Sequence, residues 1–206
     1  GLEKSVAATK TFTAQLYLLA QLVAEWTKND EFKEELAKVP EKLVQTFAVA
    51  EAIKQRVERF RFMKECFVLA RGINYSIALE SALKIQETTY TRAKAFATSD
   101  FHHGPFAMIE KNMPVFVFAP SGPSLNDVVE MIEKLKQSEA EVIVISDKKE
   151  ICDMGSVSFL TPEAGSDLVS PFLNVVVAQM FACHLALTKG LNPDSPRGLN
   201  KVTITR

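Results

Sequence analysis

CFVLARGINYSIALESALKIQE, residues 66–87, changes rhythm part-way along. Its first five residues, Cys66-Phe67-Val68-Leu69-Ala70, form an unbroken apolar run of the kind found in strands buried on both faces of a parallel sheet, a signature shared with a buried helical turn. Arg71-Gly72-Ile73-Asn74 interrupts it. From Ser76 to Thr88 the spacing becomes helical, with Ile77, Leu79, Ala82, Leu83 and Ile85 as the expected buried stripe. Glu80, Lys84 and Glu87 then fall at i, i+4 and i+7 and share one face. Two readings of that face stand side by side. It is either a solvated surface carrying a Glu80–Lys84 pair worth about 0.2–0.5 kcal/mol, or it sets Lys84 and Glu87 at the mouth of a cleft beside the carboxyl end of a strand, where open α/β sheets bind ligands. A partly buried carboxylate in such a cleft, restrained by an ammonium, can act as a general base.

Downstream the same alternation repeats. Strands are expected at residues 93–97, 115–119, 142–145 and 157–160, and helices at about 124–138 and 168–188. His102-His103-Gly104-Pro105 makes a turn between the first two of these strands, with a helical turn starting at Pro105. Strand and helix in succession imply an α/β fold: a three-layer, doubly wound parallel sheet with right-handed crossovers.

Upstream, about 60 residues carry no strand signal. Phe12, Leu16, Leu19, Val23 and Trp26 mark a long amphipathic helix from about residue 6 to 28, with Ser5 as its expected N-cap and Asn29-Asp30 as its end. A short charged piece, residues 31–38, leads to Pro40, read as a first-turn residue of a second long helix whose stripe is Leu43, Phe47, Val49, Ala50, Ile53 and Val57. Neither helix can bury its stripe without a partner surface. Residues 192–200, rich in Pro, Gly and Asn, read as an extended tail over the surface.

With 206 residues, 47% of them hydrophobic, and a formal net charge of −1, the chain can bury a sizeable core and lacks the basic excess of a nucleic-acid binder. No nucleic-acid partner is expected. No membrane partner is expected either, because no apolar run is taken to approach the roughly 18 uncharged residues of a spanning helix and the N-terminal residues show no signal-peptide core; the expected location is cytoplasmic. Cys66, Cys152 and Cys183 are widely spaced beside apolar segments, which suits buried reduced thiols better than a disulfide framework or a zinc site. Adjacent side chains in extended backbone point to opposite sides, so His102-His103 is not read as a metal site. Neither metal nor cofactor is expected.

Ala78-Leu79-Glu80-Ser81-Ala82-Leu83-Lys84-Ile85-Gln86-Glu87, followed by His102-His103-Gly104-Pro105-Phe106-Ala107, resembles the second sugar-isomerase (SIS) domain of the glutamine:fructose-6-phosphate amidotransferase, or glucosamine-6-phosphate synthase, family. Residues 3–13 are similar to the family's Val-Ala-Ser-Thr-Lys segment, and Pro196-Arg197-Gly198-Leu199-Asn200-Lys201 is similar to its C-terminal tail. The likeness therefore runs through essentially the whole chain. It implies three parts: helices in residues 1–62 that close a first SIS domain whose sheet is absent from this sequence, the second SIS domain in 63–190, and a tail, 191–206, that reaches the active site.

The resemblance also implies an enzyme acting on a sugar-phosphate substrate, interconverting glucosamine 6-phosphate and fructose 6-phosphate by proton transfer through an enediolate-like intermediate. Glu87 stands at the position of the proton-transfer carboxylate, and Lys84 at that of a lysine stabilising developing negative charge. His103 matches a ring-opening histidine lent by the neighbouring subunit of a homodimer, and Lys201 a tail amine that approaches the sugar carbonyl. Val6 and Ala8 match positions that contact the sugar, and Asn200 stands where a small residue is frequent. Two departures accompany these matches: Gln86 replaces a lysine common in synthases, and no Ser-x-Ser-Gly-x-Thr phosphate loop occurs in the chain. The version of residues 3–13 looks closer to stand-alone deaminases and isomerases, which is the expected activity. The isomerase domain of a glutamine-dependent synthase, a deglycase, and a non-catalytic sugar-phosphate-binding module are the alternatives. Lys84, Glu87, His103 and Lys201 occurring together weigh against the last, since a sensor needs no base.

Overall fold

A computed structural model of the chain describes residues 2–201. Strands β1 (Glu65–Ala70), β2 (Arg92–Ala97), β3 (Pro114–Phe118), β4 (Glu141–Ser146) and β5 (Val157–Leu160) form one sheet in the order β2-β1-β3-β4-β5. Every pairing in it is parallel. Parallel neighbours need crossovers, so each strand is followed by a helical return: α4 (Tyr75–Thr89) after β1, the short α5 (Thr98–Phe101) after β2, α6 (Leu125–Gln137) after β3, the short α7 (Lys149–Cys152) after β4, and α8 (Ser170–Thr188) after β5. Helices α1 (Lys10–Thr27), α2 (Asp30–Thr46) and α3 (Val49–Arg56) precede the sheet.

The central strands β1, β3 and β4 are apolar on both sides because both sides are covered, whereas the edge strand β2 exposes Arg92 and Lys94. Along β1, Cys66, Val68 and Ala70 belong to the core shared with α3, α4 and α8. Phe67 and Leu69 belong to the core under α5 and α6. The expected three-layer α/β architecture is present, with each strand within two residues of its expected bounds.

Helix α8 corrects the expectation about apolar runs. Ser170–Thr188 is long and apolar enough, by length and composition, to cross a membrane, yet 67% of its apolar window is buried inside the fold. It is apolar all round because it is surrounded: Phe181 packs edge-on against Phe60 and Phe116, Val175 and Val177 join the sheet core, and Phe172 and Leu173 meet Phe32, Leu36 and Val39 of α2.

The first helices also differ from their sequence reading. Residues 31–38 are helical rather than a lead-in, and Pro40 lies inside α2, not in its first turn. Proline has no N–H to give the carbonyl four residues back, which strands the Leu36 carbonyl in mid-helix. The Tyr17 hydroxyl of α1 donates to that carbonyl at 3.1 Å. The second helix is then interrupted at Phe47 and Ala48 and resumes as α3. At the start of α1, the expected cap Ser5 donates instead to the Asp194 carboxylate, and Glu3 caps the helix by accepting from the amides of Thr11 at 2.9 Å and Thr9 at 3.1 Å. Burial works against the Glu3 charge, but those amides outweigh it and hold the carboxyl below its usual range. The expected α1 stripe divides: Phe12 and Leu16 pack on the core, whereas Leu19, Val23 and Trp26 are exposed.

Replacing Tyr17 by Phe should destabilise the chain by about 1 kcal/mol in denaturant unfolding. In a Pro40→Ala background, where the helix supplies its own donor to Leu36, the same change should cost clearly less. Equal losses in the two backgrounds would show that the phenol does not compensate for the proline.

Candidate active site

The site is organised on α4, and the structure reverses the expected sides of that helix. Leu79 and Leu83, expected to be buried, lie on the open stripe with Ser76 and Gln86. Glu80 and Lys84, offered in one reading as a solvated pair, are only 6% and 4% exposed. The cause is that α4 is covered twice, by β1 and β2 on one side and by α8 on the other. Ile77, Ala82 and Ile85 enter the sheet core, and the charged face is pressed toward α8.

Lys84 carries the centre of the arrangement. Its ammonium donates to the Glu87 carboxylate and stands 3.9 Å from Oε1 of Glu80. That Glu80 oxygen is buried and has no hydrogen-bond partner among the described residues. Burial pushes the Glu80 carboxyl up to about 7; the Lys84 ammonium and the Gln179 side chain oppose the shift, and Glu87 adds to it. Glu80 is thus the site residue that the sequence reading missed. Its only signal there was the i, i+4 spacing to Lys84, which does not distinguish a wet pair from a dry one.

Lys84 also lines a cavity of about 440 Å³ between α4, α8, the residues before α1 and the tail. This volume falls in the roughly 300–1,000 Å³ range of small-molecule sites. Gln179 and Cys183 of α8, Lys10, and Asp194 of the tail contribute polar walls. The cleft reading is corrected in one respect. The cavity does not open at the carboxyl end of a strand, because α4 runs back against the strands and Lys84 and Glu87 sit in its later turns, toward the end that leads into β2. At the carboxyl ends the loops are tied together, with Arg71 3.4 Å from Asp127 and the Ser121 amide donating to Asp147 at 2.7 Å.

The other expected site residues divide into those brought to the cavity and those kept from it. Lys201 is exposed, and its ammonium donates at 2.6 Å to the carbonyl of Ser5, a cavity residue. The Val6 amide donates to the Asp194 carbonyl at 3.0 Å, which joins the N-terminal segment to the tail. Ser5, Ala7 and Thr9 line the cavity; Val6 and Ala8 occupy the alternate positions and, like Asn200 and Glu87, are not part of its wall. His103 follows α5 on the α6 face of the sheet, whereas Lys84 and Glu87 lie on the α8 face. Within one chain the sheet separates them. Residues 202–206 of the tail lie outside the described residues.

Among the described residues no group of three or more His, Cys, Asp and Glu side chains is placed to hold a metal ion. All three cysteines are free; Cys66 and Cys152 are buried, and burial pushes the Cys66 thiol up to about 12. Cys183 differs from its expected burial in being only partly covered.

The model of the SIS domain family matches residues 60–189. The chain belongs to the SIS domain family. The chain is 36% identical, over 98% of its length, to a glutamine–fructose-6-phosphate aminotransferase (isomerizing) of Thermococcus kodakarensis. It covers 35% of that protein and so spans about a third of the length of the curated relatives it matches. Among solved structures it is similar to the C-terminal domain of glucosamine-fructose-6-phosphate aminotransferase from Francisella tularensis, with a TM-score of 0.79 and 28% identity over 95% of the chain and 58% of that structure. It is also similar to a glucosamine-6-phosphate deaminase from Thermotoga maritima, with a TM-score of 0.75 and 25% identity over the whole chain and 60% of that structure.

Burial of Glu80 gives the SIS domain a measurable pH signature. Unfolded, this carboxyl titrates near 4.5, and folded near 7. Between those values the folded chain holds a proton that the unfolded chain has released, so stability falls as pH rises through the window and levels off above it. The thermal unfolding midpoint should therefore drop between about pH 5 and about pH 8. Glu80→Gln, which cannot ionise, should flatten the drop in scanning calorimetry. An unaltered slope would contradict a buried, ionisable Glu80.

Proposed function

We propose that the chain supplies the proton-transfer half of an aldose–ketose isomerisation centre acting on an amino-sugar phosphate, with fructose 6-phosphate and glucosamine 6-phosphate as the interconverted pair. The observation that carries this reading is the buried Lys84 ammonium paired with Glu87 beside a cavity of small-molecule size. Glu87 removes a proton from one of two adjacent sugar carbons and returns it to the other. Lys84 holds that carboxylate in place and faces the oxygen on which negative charge develops, in a site with little water to screen it. Lys201, held against the Ser5 carbonyl at the cavity rim, is the amine that approaches the sugar carbonyl.

Ring opening falls to His103 of a neighbouring subunit in a homodimer. Support for this comes from the sheet standing between His103 and the Lys84–Glu87 pair within one chain. The phosphate anchor belongs to a preceding SIS domain, whose closing helices are residues 1–62; the exposure of Leu19, Val23 and Trp26 of α1 supports a covering partner there. The length of the curated relatives, about three times that of this chain, supports such a domain. Identities of 36% and 39% to aminotransferases favour the isomerase domain of a glutamine-dependent synthase. The stand-alone deaminase is the second reading, favoured by coverage of the whole chain in the match to the deaminase structure.

In the full-length protein, Glu87→Gln should lower isomerisation by at least about 10²-fold while leaving sugar-phosphate binding within a few-fold of wild type. Turnover that survives the change, measured by interconversion of the two sugar phosphates, would remove Glu87 from the role of base.

A further inference from the structure

The cavity of about 440 Å³ holds less of the reacting centre than its place beside α4 suggests. Of the groups given to proton transfer, only Lys84 stands on its wall; Glu87 and Lys201 do not. Ser5, Ala7 and Thr9 are turned to the cavity and the alternate Val6 and Ala8 are not, so this strip of chain forms a partition along one side of it. Lys84 crosses the boundary, its side chain lining the cavity while its ammonium donates to Glu87 outside it. The polar groups of the wall are already engaged within the protein. The Thr13 hydroxyl donates to the Thr9 carbonyl at 3.3 Å, the Thr88 hydroxyl to the Lys84 carbonyl at 2.7 Å, and the Gln179 amide to the Thr9 carbonyl at 3.2 Å. The Ser5 hydroxyl donates to the Asp194 carboxylate, and the Lys10 ammonium to the Leu2 carbonyl at 2.7 Å. What remains to meet a ligand is the apolar surface of Leu43, Phe47, Val176, Met180 and Ala182. A sugar phosphate needs strong donors for its phosphate and a partner for each hydroxyl, and against this wall they would go unmet. A compact apolar molecule needs neither; an apolar cavity of roughly 150 Å³ is enough to take up benzene.

We propose that this cavity is a second binding site, for a compact, uncharged and mainly apolar molecule, separated from the sugar phosphate by residues 5–9 and acting on turnover through the Lys84 side chain that the two compartments share. The proposal rests on the isomerase reading only for where the sugar reacts. A ligand in the cavity packs against the stem of Lys84 and the inner side of residues 5–9, so it shifts the ammonium that Glu87 depends on without occupying the place of the sugar. Misplacement of a reacting group by about 1 Å can cost as much as about 10²-fold in rate. The effect therefore falls on kcat and leaves KM alone.

Cys183 gives the test a handle, because it lines the cavity and is partly covered whereas Cys66 and Cys152 are buried. The full-length protein is treated with benzyl methanethiosulfonate at mildly alkaline pH, since burial and then the Asp194 carboxylate hold the Cys183 thiol above its usual range. The thiolate attacks the benzylthio sulfur, a new S–S bond forms, and methanesulfinate leaves with the electron pair of the old one. Peptide mass spectrometry should find the benzylthio group on Cys183, and saturating fructose 6-phosphate should change the labelling rate by less than about twofold. Labelled enzyme should lose at least about tenfold in kcat with KM within about twofold of the untreated value. Cys183→Ser, treated in the same way, should keep the rate it had before treatment. An unlabelled Cys183, protection by the sugar phosphate, a labelled enzyme with unchanged kcat, or an equal loss in treated Cys183→Ser would each overturn the proposal. Benzyl alcohol, followed by saturation-transfer NMR on wild type, gives a readout independent of activity. Binding that persists under saturating fructose 6-phosphate is expected, and its displacement by the sugar phosphate would overturn the proposal. The two readings fail separately: turnover by Glu87→Gln removes the isomerase assignment and leaves the benzyl alcohol result standing, whereas sugar-phosphate protection of Cys183 removes the second site alone.

Discussion

An ammonium taken out of water has to be met by negative charge, and in this chain that requirement fixes the centre of the molecule. Lys84 sits between a sheet-packed helix and the most apolar helix of the fold, 4% exposed. Isolated there, it would carry a desolvation penalty of several kcal/mol, and it is retained because two carboxylates of its own helix lie one turn to either side. Those carboxylates are not equivalent. Glu87, a quarter exposed in its side chain, keeps contact with solvent and the ammonium together, whereas Glu80 is dry and incompletely paired. Replacing a buried ion cluster by well-packed apolar residues is often neutral or stabilising. A gain in stability therefore does not account for the cluster.

The same contact explains which parts of the fold were legible in the sequence. The central strands were readable because both faces of the sheet are covered there, so they appear as continuous apolar runs such as Val115-Phe116-Val117-Phe118, while the edge strand β2 alternates, with Arg92 and Lys94 exposed. Helix α4 was legible as a helix but not in its orientation. A stripe argument assumes one buried face, and α4 has two, one against the sheet and one against α8, which leaves Leu79 and Leu83 to the open side. Helix α8 is the opposite case, buried so completely that no stripe exists to be found. Pro40 misled for a different reason. A proline normally marks the first turn of a helix, and its acceptance in mid-helix depends on a hydroxyl supplied from 23 positions earlier, at Tyr17, which no local pattern encodes.

The site shows the same division between local and distant information. Lys84 and Glu87 were legible because their relation lies within a single helical turn. Glu80 stood in the same motif, but its character depends on burial, and its burial comes from Gln179 and its neighbours on α8, about a hundred residues away. The cavity was illegible altogether, since its walls come from both ends of the chain and from two central helices. The expectation of a cleft at the carboxyl end of the sheet followed from general α/β practice, whereas the helix geometry carries Lys84 and Glu87 to the opposite end.

The two ends of the chain meet at that place through bonds that do not involve the sheet. Asp194 receives the Val6 amide and the Ser5 hydroxyl, Lys201 reaches the Ser5 carbonyl, and the Arg197 amide donates to the Tyr90 hydroxyl at 2.7 Å while its guanidinium lies over the ring. Tyr90 closes α4, so the tail is fastened to the end of the helix that carries Lys84 and Glu87. Lys84 and Glu87 consequently stand on a helix held on two sides, and the cavity has core-helix residues such as Gln179 and Cys183 on one part of its wall and the hydrogen-bonded surface segments with Ser5 and Asp194 on another. The bonds from the tail to Ser5 and Tyr90 join surface segments, whereas α4 is held against the sheet and α8 by packing, so the two attachments are separate.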